Sequence, residues 1–145
     1  MDNFYISITP DVGIAPNTYS IDSVLPIKMV AIADGIGGKY DLEFVLRGKR
    51  YGYWPDRIAE VLVDLLAGIE TLEKRRDAPI SIAGYTVLLA EFVNSEVRLY
   101  EPHLYSNSGK EAALAGVFSV DQMICEYKTS LTNLYYFIEC KLNQK

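Results

Sequence analysis

One segment of the chain constrains its fold more than any other, because its apolar residues repeat with the period of an α-helix. The repeating positions are Ile58, Val61, Leu62, Leu65, Leu66, Ile69 and Leu72. This spacing places one apolar stripe along one side of a helix, and another layer of the protein has to cover it. Pro55 suits the first turn of this helix, and Ala78-Pro79 ends it. The chain therefore needs further structure packed against residues 55–78.

The N-terminal third of the chain has patterns that are typical of strands. Residues 4–9 are rich in β-branched and aromatic side chains, and residues 24–33 form an apolar run that we interpret as a buried strand. Residues 40–46 alternate between apolar and polar side chains, and Gly48-Lys49 predicts a two-residue turn into a return strand at 50–53. Residues 10–22 mix Pro, Gly, Asn and Ser and predict an irregular loop.

The C-terminal half predicts a second hairpin and a second helix. Residues 80–93 and 96–101 are the hairpin strands, joined by Asn94-Ser95. Ser119 followed by Gln122 predicts an N-cap for a helix from 120 to 143. The expected fold is α+β, in the order β-β-β-β-α-β-β-α. Two β-hairpins and the N-terminal strands form a mostly antiparallel sheet that packs against two long helices.

The size and composition of the chain predict a single domain over residues 1–145. The chain has 145 residues, of which 50% are hydrophobic and 23% charged, as in an ordinary globular protein. It has no basic leader at Met1 and no apolar run of about 18 residues, so we expect a cytoplasmic protein with no membrane segment. Cys125 and Cys140 lie on one predicted helix, too far apart for a disulfide.

The net charge of −5 comes mainly from residues 55–101, which hold nine acidic and five basic side chains. Binding to nucleic acid needs a basic stripe that displaces counterions, and the chain lacks one. We therefore predict no nucleic-acid partner. The sign of the charge fits a basic protein partner, whose approach an acidic surface would accelerate.

The chain has eleven tyrosines and one histidine, His103. Histidine is the usual group for proton transfer and metal binding near neutral pH. The chain has no serine-nucleophile motif that His103 could activate, and it has no P-loop or dinucleotide fingerprint. We therefore predict a binding protein without cofactors rather than an enzyme. Tyr40 and Tyr127 fall on core-facing stripes, so packing explains them.

The remaining aromatic side chains, with nearby carboxylates, are the candidate partner-binding residues. Aromatic side chains anchor protein interfaces, and acidic side chains steer a basic partner. Of Tyr135 and Tyr136, one has to face away from the core. The candidate set is Tyr51, Tyr53, Trp54, Asp56, Glu60, Glu91, Glu96, Tyr100, Glu101 and Tyr105.

The segment from Asp34 to Gly38, Asp-Gly-Ile-Gly-Gly, follows the apolar run at 24–33. It resembles the Asp-Gly-x-Gly-Gly segment of the type 2C metal-dependent protein phosphatases. The resemblance implies a divalent metal held by Asp34, with Asp11 and Asp22 as the other available carboxylates. The later acidic segments of that family are missing here, so we interpret Asp34 as capping a glycine turn and predict no metal.

Three functional hypotheses follow from these patterns. The first is a small intracellular immunity or inhibitor protein that binds and neutralises a basic toxin or enzyme. The second is a phosphatase-like or degenerate enzyme that uses Asp34. The third is a homo-oligomeric structural subunit, for example a homodimer, that pairs through the C-terminal helix, since the apolar residues from Val120 to Leu142 recur about every 3.5 positions.

Overall fold

A computed structural model describes residues 2–22, 24–52 and 54–144. These residues form an α+β fold, as the sequence predicts. The elements in chain order are β1 (Phe4–Thr9), α1 (Pro26–Ala33), β2 (Asp41–Leu46), β3 (Lys49–Gly52), α2 (Ile58–Lys74), β4 (Ala78–Ile82), β5 (Tyr85–Val93), β6 (Glu96–Tyr100), α3 (Pro102–Ser108), α4 (Lys110–Ala113), β7 (Leu114–Ser119) and α5 (Val120–Leu142).

The strands form two antiparallel sheets instead of the single sheet that we expected. One sheet has the order β1-β2-β3 and the other β4-β5-β6-β7. The two sheets meet where the chain enters β1. The amide of Asp2 donates to the carbonyl of Val117 at 3.1 Å, and the amide of Val117 donates to the Asp2 carboxylate at 3.0 Å. The Arg47 guanidinium pairs with the same carboxylate at 2.9 Å, so Asp2 joins the β2–β3 turn to β7.

The prediction of a strand at 24–33 is wrong, because this segment forms the helix α1. Pro26 lies in its first turn, where the missing amide hydrogen costs no hydrogen bond. Met29 and Ala33, four residues apart, are the buried positions, while Ile27 is 80% exposed. A short apolar run fits a buried strand and a helix equally well, and only the packing against α2 and α5 decides between them.

The turn between β2 and β3 lies one residue earlier than predicted. Leu46 pairs with Lys49, so the two turn residues are Arg47 and Gly48. Both have positive φ, 51° and 79°, which is the pattern of a type I′ turn. The hairpin prediction is therefore confirmed, with Lys49 as the first residue of β3.

The prediction of one strand over residues 80–93 is also wrong. Ala83 and Gly84 have φ of 54° and 81° and form a second turn of the same kind. Ile82 pairs with Tyr85 across it, so the segment folds into the hairpin β4–β5. The sequence analysis missed this turn because alanine, unlike Asn or Asp, is not a residue that signals positive φ. It also missed β7, which pairs with β6.

Both long helices are confirmed; they contact each other and pack against both sheets. Helix α2 begins at Ile58, three residues later than Pro55, because the backbone of Asp56 exchanges hydrogen bonds with Tyr40 at 2.7 and 2.9 Å. Ser119 caps α5 by accepting a hydrogen bond from the amide of Gln122 at 3.3 Å. Among the described residues, no helix is both long and apolar enough to cross a membrane.

Aromatic rings fill the space between α5 and the sheets. Tyr127 stacks on Phe4 with a centroid separation of 5.8 Å, and Phe44 lies equally close to it. Tyr40 and Tyr127 are buried, as predicted. Tyr135 is buried as well, whereas Tyr136 is half-buried with its ring against Tyr19 at 5.2 Å.

The apolar stripe of α5 packs inside the chain. The α5 positions that are buried are Val120, Met123, Tyr127, Leu131, Leu134, Tyr135 and Ile138. Most of the α5 residues whose spacing suggested pairing between two copies are therefore buried within a single chain. Homodimerisation stays a prediction, without a free apolar stripe on α5 to support it.

Candidate functional site

The densest polar cluster on the second sheet is centred on the carboxylate of Glu91 in β5. Tyr100 of the neighbouring strand β6 donates its hydroxyl to Glu91 at 3.0 Å, and the Lys110 ammonium pairs with the other carboxylate oxygen. Arg98 lies 4.0 Å away. The Lys110 ammonium, with the Tyr100 hydroxyl and Arg98, holds the pKa of Glu91 below its usual range. Glu91 is therefore a fixed negative charge at neutral pH.

Two tyrosines extend this cluster from β6 to α3. The ring of Tyr105 meets the ring of Tyr100 edge-on, with centroids 5.6 Å apart. Tyr100 is only 4% exposed, whereas Tyr105 is 41% exposed. Burial, followed by the hydrogen bond to Glu91, raises the pKa of Tyr100, so its hydroxyl stays protonated as a donor. Tyr100 is thus a buried part of the cluster, and the ring of Tyr105 is its exposed part.

A cleft of about 310 Å³ opens beside these side chains, between β4, β5 and α3. Its walls include Asp77, Pro79, Leu89, Glu91, Tyr100 and Tyr105. Asp77 is held in place because its carboxylate accepts a hydrogen bond from the amide of Phe92 at 2.9 Å. Two carboxylates thus line the cleft, and none of the described residues lining it is basic.

A second cluster joins the edge strand β3 to the start of α3. The ammonium of Lys49 lies 2.6 Å from the carboxylate of Glu101 and 5.2 Å from the centre of the Tyr51 ring. Burial and the neighbouring Glu101 carboxylate raise the pKa of Tyr51. Glu101 directly follows Tyr100, and its carbonyl accepts a hydrogen bond from the Tyr105 amide at 2.9 Å, so the two clusters are neighbours along the chain. The structure therefore places five predicted residues in two neighbouring clusters, with Tyr51 and Glu101 in one and Glu91, Tyr100 and Tyr105 in the other.

The remaining predicted residues lie elsewhere. Asp56 and Glu60 flank Arg57 at the start of α2, where the guanidinium pairs with Glu60 at 3.2 Å. Trp54 precedes them and is 66% exposed. Glu96 lies at the opposite end of β6 from Tyr100, paired in register with Val93. Tyr53 lies outside the residues that the structure describes.

The structure gives Asp34 a partner on the protein itself. Asp34 caps the C-terminal end of α1, and the Arg57 guanidinium contacts its carboxylate at 2.9 Å. The predicted strand before the Asp-Gly-Ile-Gly-Gly segment is a helix, so this part of the phosphatase resemblance is wrong. Within residues 2–22, 24–52 and 54–144, no three His, Cys, Asp or Glu side chains are grouped so that they could hold a metal ion.

Sequence reasoning missed two residues that complete the site. Lys110 follows the loop after α3 and reaches Glu91 across 19 residues of chain. Asp77 lies just beyond the end of α2, where no repeating pattern in the sequence indicates that an acidic residue belongs to a site. His103 lies on the short helix α3, with Asn107 near its ring nitrogens at 3.2 and 3.3 Å.

Comparison with protein-family models, curated protein sequences and solved structures finds no match to this chain. Its function therefore has to be inferred from the contacts described above.

Proposed function

We propose that the chain is a small protein-binding module of the immunity or inhibitor kind, which neutralises a basic toxin or enzyme by binding it. The observation that carries this proposal is the pair of neighbouring clusters that contain Tyr51, Glu91, Tyr100, Glu101 and Tyr105, which together we call the acidic–aromatic surface. It draws side chains from four elements, β3, β5, β6 and α3.

The composition of this surface suits the recognition of a basic protein. Tyrosine offers a large, rigid contact area with a polar tip, and it is enriched among interface residues that dominate binding energy. The carboxylates of Glu91 and Glu101 are already paired with Lys110 and Lys49 of the chain, so the charge that attracts a basic partner is that of the whole chain, −5. A net negative charge would accelerate the approach of a basic partner.

The surface is also held in one arrangement before a partner arrives. The Tyr100 hydroxyl bonds to Glu91, and the Tyr105 ring lies against Tyr100. Side chains that are already fixed lose less conformational entropy on binding than free ones. This favours tight inhibition by a small domain, which is what an immunity protein needs.

A co-expression experiment tests the proposed function. The chain is produced together with the product of a neighbouring gene that is toxic when expressed alone, and cell survival and co-purification are measured. We expect survival with the wild-type chain, and reduced protection when Tyr105→Ala and Glu101→Gln are combined. A central aromatic anchor costs about 2 kcal/mol when truncated, which corresponds to a loss of roughly 30-fold in affinity.

Tyr5→Ala is the matched control for this experiment. Tyr5 is 52% exposed but lies on β1, at the opposite edge of its sheet from the β3 strand that carries Tyr51. Its replacement should leave protection unchanged. Absence of both co-purification and protection with the wild-type chain would reject the proposed function.

A further inference from the structure

We propose that the cleft between β4, β5 and α3 takes up a lysine or arginine side chain of the partner protein. The inference rests on the proposed function, because it names the group of a basic partner that the acidic–aromatic surface recognises. It adds Asp77, Pro79 and Leu89 to that surface.

The walls of the cleft match the two parts of such a side chain. Pro79, Leu89 and the exposed ring of Tyr105 would pack against its aliphatic stem. The carboxylates of Asp77 and Glu91 would take its charged head. Only one hydrogen bond from the described part of the chain reaches the Asp77 carboxylate, from the Phe92 amide to Oδ1, and this leaves Oδ2 for a ligand.

The chain already binds two of its own lysines in the same chemical way. The Lys110 ammonium pairs with Glu91 and lies 5.7 Å from the centre of the Tyr100 ring. Lys49 is held between Glu101 and the ring of Tyr51. A carboxylate next to a tyrosine face attracts a cation both by charge and by the quadrupole of the ring. In the cleft, the carboxylate of Asp77 and the exposed ring of Tyr105 line the same cavity, and none of the described residues lining it is basic.

Lys110 has a particular role in this arrangement. It pairs with the Glu91 carboxylate and lines the neighbouring cavity, together with Arg98 and Leu114. Its positive charge weakens the attraction of Glu91 for a second cation. Removal of Lys110 should therefore strengthen binding in the cleft, an outcome that a purely structural ion pair does not predict.

The test uses the folded chain and a small probe, so it does not depend on the identity of the toxin. The probe is N-acetyl-arginine amide, titrated into ¹⁵N-labelled protein while amide shifts are followed by NMR. N-acetyl-citrulline amide, which has nearly the same shape without the charge, is the control probe. We expect saturable shifts of the amides around Glu91 and Tyr105 with the arginine probe alone.

Three variants sharpen this test. Asp77→Asn keeps the carbonyl that the Phe92 amide contacts and should weaken binding about threefold, while Lys110→Ala should strengthen it about threefold. Glu73→Gln is the control variant, because it removes an equal charge from α2, where Glu73 lies 3.8 Å from Lys128. It should leave the affinity for the arginine probe unchanged. Equal shifts with both probes, or an affinity that Asp77→Asn leaves unchanged, would overturn the assignment.

The two proposals fail in different ways. Arginine binding in the cleft without protection in the co-expression experiment would reject the immunity function and keep the cleft assignment. Protection without arginine binding would keep the immunity function and reject the cleft assignment. The comparison of the two probes uses only the wild-type chain, so its result does not depend on whether any variant folds.

Discussion

The edge of the Tyr127 ring lies directly against the backbone of Gly68, so that α5 and α2 approach each other closely at this point. A Cβ atom at position 68 would lie 2.3 Å from Cε1 and 2.7 Å from the hydroxyl of Tyr127. Glycine in the middle of α2 is thus a packing requirement. It sets the distance between the two long helices.

Gly68→Ala should destabilise the protein by about 1–3 kcal/mol, because the Tyr127 ring is fully buried and cannot move aside. The measurement is the free energy of unfolding in urea. The Tyr127→Leu background provides the control, since a smaller side chain removes the clash. There the alanine should cost less, or even stabilise the helix, because alanine is the better helix former. An equal cost in both backgrounds would contradict this explanation.

Tyr127→Phe should stabilise the protein by about 1 kcal/mol. The Tyr127 hydroxyl is buried without a hydrogen-bond partner among the described residues, and its desolvation is uncompensated. Burial also raises the pKa of Tyr127 far above its usual range, so the ring stays neutral. Tyr135→Phe, also on α5, is the comparison variant. A loss of stability in Tyr127→Phe would mean that the hydroxyl has a partner in solution.

The stability of Asp64→Asn relative to that of the wild type should increase as the pH rises. Burial, with Glu60 and Asp56 nearby, raises the pKa of Asp64 from 3.8 to about 6, although the Ala83 amide donates to its carboxylate at 3.0 Å. A raised folded-state pKa means that Asp64 contributes most to stability below 3.8 and that this contribution is lost as the pH rises through about 6.

The measurement is the free energy of unfolding of both proteins across this pH range. The advantage of Asp64→Asn over wild type should grow between about pH 4 and about pH 6 and then level off. Asparagine keeps an oxygen that can accept from Ala83, so the turn between β4 and β5 stays anchored. A difference that is constant with pH would show that Asp64 titrates normally.

Ser119→Ala should cost about 1 kcal/mol, because it leaves the Gln122 amide at the start of α5 without its acceptor. Thermal unfolding followed by circular dichroism measures this loss. Ser119→Asp should restore most of the stability, since aspartate is also a good N-cap. If both variants lose the same stability, the serine acts through packing instead.

Asp34→Ala tests the phosphatase alternative. Asp34 and Arg57 form an exposed ion pair, with side chains 60% and 58% exposed, so its loss should change stability by less than about 1 kcal/mol. Isothermal titration with Mn²⁺ should give the same trace for the variant and the wild type. Saturable Mn²⁺ binding that Asp34→Ala abolishes would favour a metal site instead.

The periodicity of the sequence predicts those elements that have one solvent-exposed face and one buried face. The stripe from Ile58 to Leu72 and the alternation from Tyr40 to Leu46 are of this kind, and α2 and β2 form as expected. Segment 24–33 is apolar throughout, so its pattern does not distinguish a strand from a helix. The turn at Ala83-Gly84 escaped notice because only one of its residues favours positive φ.

The candidate site was predictable in its residue types and only partly in its arrangement. Tyr100, Glu101 and Tyr105 are close in sequence, and Glu91 is a diagonal neighbour of Tyr100 because β5 and β6 form the predicted hairpin, in which Glu91 pairs with Arg98. Lys110 and Asp77 come to Glu91 through tertiary structure, and a sequence pattern does not report such distant contacts.

By itself, the sequence determined the fold class, the two long helices and the acidic, tyrosine-rich character of the chain, because local periodicity and composition act over a few residues. The tertiary structure alone decided that segment 24–33 is a helix, that the strands divide into two sheets, and that Glu91 pairs with Lys110 and lines a cleft together with Asp77. These features depend on which distant surfaces bury one another, and burial is a property of the whole chain.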